Sequence, residues 1–526
     1  MKHVFLIFFI SFVTILSAHA QCTDLVYSAE KNPEKGTSKY KLEILNNGNT
    51  ANIGLGESVG FFCTLYDANK KIIVHTIVPT TFEIQAATMK YVFEINNDIV
   101  VFIVNANAGA PVLIRYIFDG FTGKLKKEEI VLSKPKRKIK LMSEAEYAYV
   151  IPSDFFIQKD PNSDYYALAY FDFYATSINE KIEVFHYSPT HEIISRAFLK
   201  NPEIKYLKLH YVNLYVNGEK SVIVSSYLYN VDYGNEKDGE ACFYLSELKT
   251  ESTSFNSVRA FETPFYKKAE AMFFFNKVTK KVLLLSTVYV KGKKGQSGDY
   301  AVISQALNLE TLALTDAFNI YSEKINAAYK ANASGLLDYY SGFPQHYSVN
   351  SKGNSIILSE ILYNGVYQYL GVSCFTPTGQ EVFGVYTNYL HRQSSLGMSF
   401  SYSRGLNGQY FSSFSETNLG LISGKSSSYL FLNNTMERFK LGDKDPAPWT
   451  PINSNSVNFT SFIYTIDDAG IASKEYIFGE PISILEKRYC RFNTADYDPA
   501  TGLYAVIVVD DIKGKKTVSV LWMHLK

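Results

Sequence analysis

The sequence has few of the residues by which local chemistry is usually recognised. Its 526 residues include 2 Trp, 5 Cys and 9 His. No pair of cysteines has Cys-x-x-Cys spacing, so the sequence supports neither a zinc site nor a thioredoxin-like motif. A chain of this length buries a large core without disulfides, and we expect most of its cysteines to be free and buried. They are Cys22, Cys63, Cys242, Cys374 and Cys490.

The chain also lacks an excess of charge of either sign. Lys and Arg total 52 and Asp and Glu total 51, which gives a formal net charge of +1. No overall field therefore draws the protein toward nucleic acid, and we predict no nucleic-acid partner. The densest basic stretch, residues 134–140, is expected to be a solvated connecting loop.

Long hydrophobic runs are confined to the first twenty residues. Lys2 precedes the apolar residues 4–16, and Ala18 and Ala20 form a small-x-small cleavage site. This apolar run is shorter than the roughly 20 residues that span a bilayer. The sequence therefore predicts a signal peptide over residues 1–20 and no transmembrane segment after cleavage. We expect a periplasmic, extracellular or cell-surface location.

What the chain has in abundance is aromatic side chains, with 40 Tyr and 37 Phe. Short polar turns precede apolar runs, as in residues 96–98 before 99–102 and residues 217–220 before 221–224. Runs of this kind bounded by Gly, Asn, Asp and Pro predict β-hairpins. Their near-continuous apolar character predicts strands that are buried on both faces.

The turn-and-run pattern recurs along the whole chain. The runs begin at residues 99, 165, 221, 282, 355, 409 and 503, and a second series of strand-turn-strand segments follows most of them, as in residues 118–125 and 375–382. A repeat that holds about four short strands is typical of a β-propeller blade. A chain of β-sandwich domains is the alternative, but obvious linkers are lacking.

We therefore predict an all-β fold, a single β-propeller domain over residues 21–526. Seven blades are favoured and eight are the alternative, each a four-stranded antiparallel sheet. An N-terminal strand is expected to complete the last blade and close the ring. One stretch departs from the β pattern: residues 316–329 have apolar side chains at helical spacing, which predicts one helix in an insertion at about residues 314–345.

The turn-plus-strand repeats resemble those of bacterial secreted β-propeller proteins of unassigned function. The resemblance covers most of the chain after residue 20, but it is architectural. The sequence has neither the Trp-Asp dipeptide of WD40 blades nor the regular Gly-Gly pairs of kelch blades. The resemblance therefore implies a fold and carries over no catalytic residues.

The candidate ligand-binding residues lie where the insertion meets the next strand. They are Tyr339, Tyr340, Phe343 and His346. Tyrosine joins a flat apolar face to a hydroxyl, which suits sugar rings and protein hot spots alike. The alternative is that these rings pack between blades.

Motifs for nucleophilic catalysis and for metal binding are absent from the sequence. One weak calcium candidate combines Asp232, Glu236, Asp238 and Glu240, although this loop lacks the EF-hand register and a solvated loop is the alternative. Three isolated acids at predicted strand ends are candidates for carboxylate catalysis, each alternatively capping a turn or facing solvent. They are Asp172, Glu360 and Asp510.

These observations favour an exported, non-catalytic protein that binds a protein or a glycan through loops on one propeller face, with no cofactor. The alternative is a carbohydrate-active propeller enzyme, a glycoside hydrolase or lyase, that uses carboxylates in its central funnel. A structural or adhesion component of the cell surface is a third hypothesis.

Overall fold

The structure is a computed structural model whose strands form seven sheets within the described residues. The described residues are 22–29, 32–33, 39–57, 59–84, 87–105, 110–135, 154–230, 241–263, 270–290, 299–332, 339–340, 342–363, 366–392, 419–435, 459–479, 486–512 and 515–525. Six of the sheets have four strands and one has nine. These sheets are the blades of a propeller.

Two N-terminal strands, β1 (Cys22–Tyr27) and β2 (Asn32–Pro33), precede the first blade. Blade 1 comprises β3 (Lys39–Ile44), β4 (Thr50–Gly56), β5 (Gly60–Tyr66) and β6 (Ile72–Val78). Blade 2 comprises β7 (Ala87–Ile95), β8 (Asp98–Asn105), β9 (Val112–Asp119) and β10 (Leu125–Ser133). Blade 3 comprises β11 (Asp154–Lys159), β12 (Tyr166–Phe171), β13 (Ile182–Tyr187) and β14 (Ile193–Phe198).

Blades 4 to 6 follow the same antiparallel order. Blade 4 comprises β15 (Lys208–Asn217), β16 (Ser221–Tyr229), β17 (Ala241–Lys249) and β18 (Asn256–Thr263). Blade 5 comprises β19 (Glu270–Asn276), β20 (Lys281–Val290), β21 (Asp299–Leu307) and β22 (Leu314–Asn319). Helix α1 (Glu323–Asn332) comes next. Blade 6 comprises β23 (Phe343–Val349), β24 (Ser355–Tyr363), β25 (Val366–Phe375) and β26 (Glu381–Arg392).

The seventh sheet contains two four-stranded antiparallel units. Blade 7 comprises β27 (Gly420–Ser423), β28 (Ser427–Thr435), β29 (Phe459–Asp467) and β30 (Ala472–Tyr476). Blade 8 comprises β31 (Glu486–Asp498), β32 (Leu503–Ile512) and β33 (Lys515–Leu525), with β1 as its fourth strand. One parallel bridge between Thr460 and Arg488 joins the two units. Seven sheets are therefore present, in line with the predicted seven blades. The nine-stranded sheet divides into two four-stranded units, as the eight-blade alternative requires.

The ring closes between the last blade and the first. Strand β1 pairs antiparallel with β33, from Cys22 opposite Leu525 to Tyr27 opposite Leu521. Strand β3 contacts both β7 and β31, so the first strand of each blade is the innermost strand. The predicted β-propeller is confirmed, and so is its closure by an N-terminal strand.

The hydrophobic core lies between neighbouring blades. Phe156 in blade 3 stacks on Tyr211 in blade 4 with ring centroids 4.2 Å apart. Each blade is covered by a neighbouring blade on each of its two faces. Every position of the strand Ser221–Tyr229 is therefore buried. Cys63, Cys242, Cys374 and Cys490 are buried free thiols, as expected from the sequence. Burial raises the pKa of the Cys63 thiol to about 12.

The predicted helix over residues 316–329 is wrong in its first half. Asp316 to Asn319 belong to strand β22, whose Phe318 pairs with Ser304 of β21. The helix begins only at Glu323 and ends at Asn332. Pairing with a neighbouring strand overrode the local apolar spacing, which cannot report contacts that are distant in sequence. Within the described residues, no helix is long and apolar enough to cross a membrane.

Strand order gives the propeller two different faces. Turns between first and second strands, and between third and fourth strands, leave from one end of each blade, which we call the tight-turn face. These turns are short, as in Asn96–Asn97 or residues 120–124. The connections from second to third strands and from blade to blade leave from the other end, the long-loop face. They include residues 172–181, 199–207 and 320–342.

Neighbouring blades are joined by hydrogen bonds at the tight-turn face. The Asn47 side chain donates to the Gly120 carbonyl at 3.0 Å, and the Asn276 side chain donates to the Gly353 carbonyl at 2.8 Å. Within blade 2, the turn at Gly120 lies so close to the turn at Asn97 that a Cβ atom at Gly120 would be 2.0 Å from the Asn97 carbonyl oxygen. The tight-turn face thus contributes contacts that hold the ring together.

Candidate functional site

The long-loop face is the candidate functional site because it carries the longer connections between strands and between blades. Long loops on a rigid scaffold are where binding residues usually lie. The sequence-predicted aromatic residues and the three candidate acids all belong to the ends of strands or to connections at this face. Their surroundings decide what each of them can do.

Helix α1 is fixed at its N-terminus by polar contacts with blade 6. The Ser322 hydroxyl accepts a hydrogen bond from the Ile325 amide at 3.0 Å and donates to the Glu381 carboxylate. Glu381 also accepts from the Lys324 amide at 3.3 Å, where a negative charge is favourable. Gly384 permits the close approach, since a Cβ atom there would lie 2.8 Å from the Ile325 nitrogen.

The predicted aromatic residues are placed differently from one another. Tyr340 is buried, and its hydroxyl donates to the Ser359 carbonyl at 2.7 Å. Its ring lies near Tyr329 of the helix, 5.9 Å away between centroids, so Tyr340 holds the insertion to blade 6. Tyr339 and His346 are half-buried. Phe343 begins the inner strand β23. Ligand binding by this group stays a prediction.

The three candidate acids do not form one group. Asp172 follows strand β12 of blade 3 and accepts a hydrogen bond from the Tyr174 amide at 3.1 Å, which is a turn-capping role. Glu360 is buried in blade 6, where its strand pairs opposite Phe343. Asp510 is buried in blade 8 and forms an ion pair with Arg488 at 2.9 Å. Asp172 thus follows the expected alternative of turn capping, whereas Glu360 and Asp510 are buried and do not face solvent as the other alternative supposed.

A second set of acids lies on the inner strands and was missed by sequence reasoning. Asp496 accepts from the Ile44 amide at 2.7 Å, and Glu43 accepts from the Glu94 amide at 3.2 Å. Glu94 accepts in turn from the Asn46 amide at 2.8 Å. Burial, reinforced by the Asp496 charge, raises the pKa of Glu43 well above its ordinary value.

These bonds cross from blade 8 to blade 1 and between blades 1 and 2. Each of the carboxylates therefore satisfies a backbone amide of a neighbouring blade, which gives it a structural use. Their local sequences contain no distinguishing feature, because the partner amides are far away along the chain. Among the described residues no group of three or more His, Cys, Asp or Glu side chains is arranged to hold a metal ion.

Two sequence candidates cannot be placed. The calcium candidate Asp232, Glu236, Asp238 and Glu240 lies outside the described residues. The basic stretch is described only for Lys134 and Pro135, and the Lys134 ammonium contacts the Glu183 carboxylate at 2.6 Å. Lys134, at the described end of this stretch, thus pairs with blade 3.

A second feature missed from the sequence is the connection 199–207 between blades 3 and 4. Ile204 is 95% exposed and Leu207 is 73% exposed, while Tyr206 between them is buried. Apolar residues in a short loop give no periodic pattern, so nothing in the sequence separates the buried side chain from the exposed ones. The structure alone identifies an apolar protrusion on the long-loop face.

Two histidines of the described chain, His186 and His210, are buried. His186 is fully buried in blade 3, and its Nε2 atom lies 2.9 Å from the Gly218 carbonyl of blade 4. Burial lowers the pKa of His186 to about 4, although the Gly218 hydrogen bond opposes the shift. The imidazole is therefore neutral in the folded protein at physiological pH and links two blades.

Acid is expected to destabilise the protein through His186. The unfolded histidine binds a proton below about pH 6.5 and the folded one only near pH 4, so stability is lost as pH falls through this window. Relative to His186→Gln, the wild type should lose roughly 3 kcal/mol of unfolding free energy between pH 6.5 and pH 4. Urea unfolding of both proteins at several pH values measures this, and parallel pH profiles would contradict it.

Comparison with known proteins identifies no family for this chain. No protein-family model matches the chain, and no curated protein matches it. Solved structures are similar at low identity. The chain is 7% identical to prolyl oligopeptidase B from Galerina marginata, with a TM-score of 0.42, and the similarity covers 90% of this chain and 55% of that protein. This chain thus spans about half the length of that structure.

Two further similar structures are matched over their full length. The β-propeller domain of Nup133 from Vanderwaltozyma polyspora is 10% identical, with a TM-score of 0.34, and the match covers 83% of this chain and 100% of that domain. The polysaccharide lyase Uly1 is 7% identical, with a TM-score of 0.35, and the match covers 95% of this chain and 100% of that protein. These similarities concern the fold alone.

Proposed function

We propose that the protein is an exported, non-catalytic binding protein whose ligand docks on the long-loop face. The observation that carries the proposal is the difference between the two faces. Tight turns occupy one face, whereas the longer connections and the apolar protrusion occupy the other. Export is included in the proposal on the strength of Lys2, the apolar residues 4–16 and the Ala18 and Ala20 cleavage pattern.

The surroundings of the candidate acids support binding over catalysis. A hydrolytic pair needs two carboxylates that face one substrate across a limited gap. Asp172, Glu360 and Asp510 come from three different blades, and Asp172 and Asp510 are used by a turn and by an arginine. The enzyme alternative therefore receives no specific support from these acids.

A bulky group attached to one face or the other tests where the ligand binds. Thr176, exposed in the connection 172–181 of the long-loop face, and Ile471, 69% exposed in a tight turn, are each replaced by cysteine and coupled to a 5 kDa polyethylene glycol maleimide. Cys63, Cys242, Cys374 and Cys490 are buried, and Cys22 is replaced by serine in every protein of the experiment, so that labelling is selective. The chain is isolated from the exported fraction of the expression host, and its N-terminal residue is expected to be Gln21.

Binding is measured on an array of polysaccharides and extracellular proteins. We expect the group at residue 176 to weaken array binding at least tenfold and the group at residue 471 to change it less than twofold. Blockage from residue 471, or the absence of any array binding, would contradict the proposal. Cleavage of an array polysaccharide by the unmodified protein would favour the enzyme alternative.

A further inference from the structure

The apolar protrusion of residues 199–207 has the most exposed large apolar side chains of the described residues. Ile204 and Leu207 are 95% and 73% exposed, and Phe198 at the preceding strand end is 39% exposed. Isolated exposed apolar residues are common on protein surfaces and need no explanation. Three of them within ten residues on one loop form a local patch, and a local patch does need an explanation.

The protrusion is held by hydrogen bonds of its own. The Asn201 side chain donates to the Tyr206 carbonyl at 2.8 Å, which closes the loop. Asn230 at the end of strand β16 accepts from the Leu207 amide at 2.8 Å and donates to the Lys205 carbonyl at 2.8 Å. The backbone on both sides of Leu207 is thereby tied to blade 4.

Buried side chains anchor the protrusion from below. Tyr206 is 2% exposed and lies in the core between blades 3 and 4. Arg259 donates to the Tyr206 hydroxyl at 3.3 Å and lies 3.6 Å from the Glu203 carboxylate. The Tyr244 hydroxyl also donates to Glu203. A loop fixed in this way loses little conformational entropy when it binds, which is the advantage of a preorganised interface.

Charge around the protrusion is predominantly positive. Lys200 and Lys205 are exposed beside Ile204, and Lys208 follows Leu207. Glu203, the acid within the loop, pairs with both Lys205 at 3.7 Å and Arg259 at 3.6 Å and accepts from the Tyr244 hydroxyl, so the basic groups outnumber it. An apolar tip with a basic border is complementary to an apolar pocket with an acidic border.

We propose that residues 199–207 form a docking loop that inserts Ile204 and Leu207 into an apolar pocket of a partner protein, with Asp and Glu side chains of the partner around that pocket. The inference rests on the proposed function, because it places the ligand contact on the long-loop face. It goes further by naming the loop and the chemistry of the partner.

The chemistry of the tip distinguishes a protein partner from a glycan or a membrane. Ile204 and Leu207 offer neither an aromatic face nor a hydrogen-bonding group to a sugar. Two aliphatic side chains on one loop are a small membrane anchor, and even a single acyl chain gives only marginal membrane binding. The same two side chains in a closely fitting protein pocket act as a hot spot.

Differential selection from a displayed library tests the docking loop. The library displays folded protein fragments of the source genome on phage, and the full chain after residue 20 is the bait. Parallel selections use the wild type, the double variant Ile204→Ser with Leu207→Ser, and Ile471→Ser as a control with a comparably exposed isoleucine on the tight-turn face. Melting temperatures within a few degrees of the wild type verify that each bait is folded.

We expect fragments that are enriched on the wild type and on Ile471→Ser and lost on the double variant. Purified, they should bind the double variant at least tenfold more weakly, and Lys200→Glu with Lys205→Glu should weaken binding severalfold, because it places acidic groups against an acidic border. Conservative Ile204→Val with Leu207→Met should retain most of the affinity.

Three results would overturn the docking loop. Fragments that bind the double variant as well as the wild type, but are blocked by polyethylene glycol at residue 176, would leave the proposed function standing and refute this loop. The absence of enrichment over the double variant would also refute it. Sedimentation of the wild type, but not of the double variant, with vesicles of phosphatidylcholine and phosphatidylglycerol would assign the loop to a membrane surface instead.

Discussion

Replacing Arg115 with alanine is expected to lower the free energy of unfolding by about 3 kcal/mol, at the lower end of the cost of breaking a buried ion pair. Arg115 is 3% exposed in blade 2, and its guanidinium donates to Glu129 at 2.7 Å and to the Tyr166 hydroxyl of blade 3. It also lies over the ring of Tyr187, 5.4 Å from the centroid. One side chain therefore satisfies groups of two blades.

The remaining partners explain the size of the effect. Burial raises the pKa of Glu129, but hydrogen bonds from Lys127 and Arg115 outweigh it and leave that pKa lowered. Without Arg115 the carboxylate loses both hydrogen bonds from the guanidinium, and the fully buried Tyr166 loses a donor. The Glu129 side chain is 27% exposed, so solvent reduces the free-energy cost of leaving its carboxylate without Arg115. We therefore expect a loss of unfolding free energy at the lower end of the range.

Lys126→Ala is the matched control for Arg115→Ala. Its ammonium pairs with Asp98 at 2.8 Å, but the lysine side chain is 48% exposed. An exposed pair of this kind contributes less than about 1 kcal/mol. Chemical unfolding of both variants measures the difference, and equal losses would mean that the contact between blades 2 and 3 does not depend on the buried guanidinium.

The turns of the fold were predictable because their chemistry is local. Asn96 and Asn97 have φ angles of 50° and 63°, and Gly218 has a φ of 53°. Asn and Gly are the residues that tolerate this region, so the sequence itself marks where a chain must reverse. Each of these turns joins the first strand of a blade to the second, which is why the repeats could be recognised.

The number of repeat units was harder to predict from the same pattern. Strand β4 (Thr50–Gly56) follows the turn at Asn47 and Gly48 but was not included in the series of runs. The run expected at residue 409 lies outside the described residues, and the second strand of blade 7 is β28 (Ser427–Thr435). Irregular connection lengths obscure the period, because blade packing constrains strands much more than loops.

The candidate site was predictable only as a region. An aromatic cluster in an insertion indicated the neighbourhood of helix α1, but not that Tyr340 donates its hydroxyl to the Ser359 carbonyl inside the protein. Similarly, Tyr206 and Leu207 are adjacent apolar residues in sequence, and one is 2% exposed while the other is 73% exposed. Which of two neighbouring side chains is buried depends on tertiary contacts with Arg259 and Asn230, and the local sequence does not specify these contacts.

Deletion of residues 22–29 is expected to cost at least about 5 kcal/mol of unfolding free energy, taking about 1 kcal/mol for each backbone hydrogen bond lost. These residues form β1, the fourth strand of blade 8, and continue to Ser28, whose amide donates to the Val520 carbonyl at 2.9 Å. The Ser28 hydroxyl accepts from the Val520 amide at 3.0 Å. Without them β33 becomes an exposed edge with unpaired backbone groups.

Addition of the missing strand in trans separates loss of closure from general misfolding. A synthetic peptide of residues 22–29 should restore the melting temperature of the truncated chain in a concentration-dependent way, because a ligand that binds only the folded state stabilises it. A peptide with the same residues in scrambled order should have no effect, since Tyr27 would no longer lie opposite Leu521 and under the Arg488 guanidinium. If the truncated chain is as stable as the full chain, β1 does not close the ring; restoration by both peptides would show that pairing lacks register specificity.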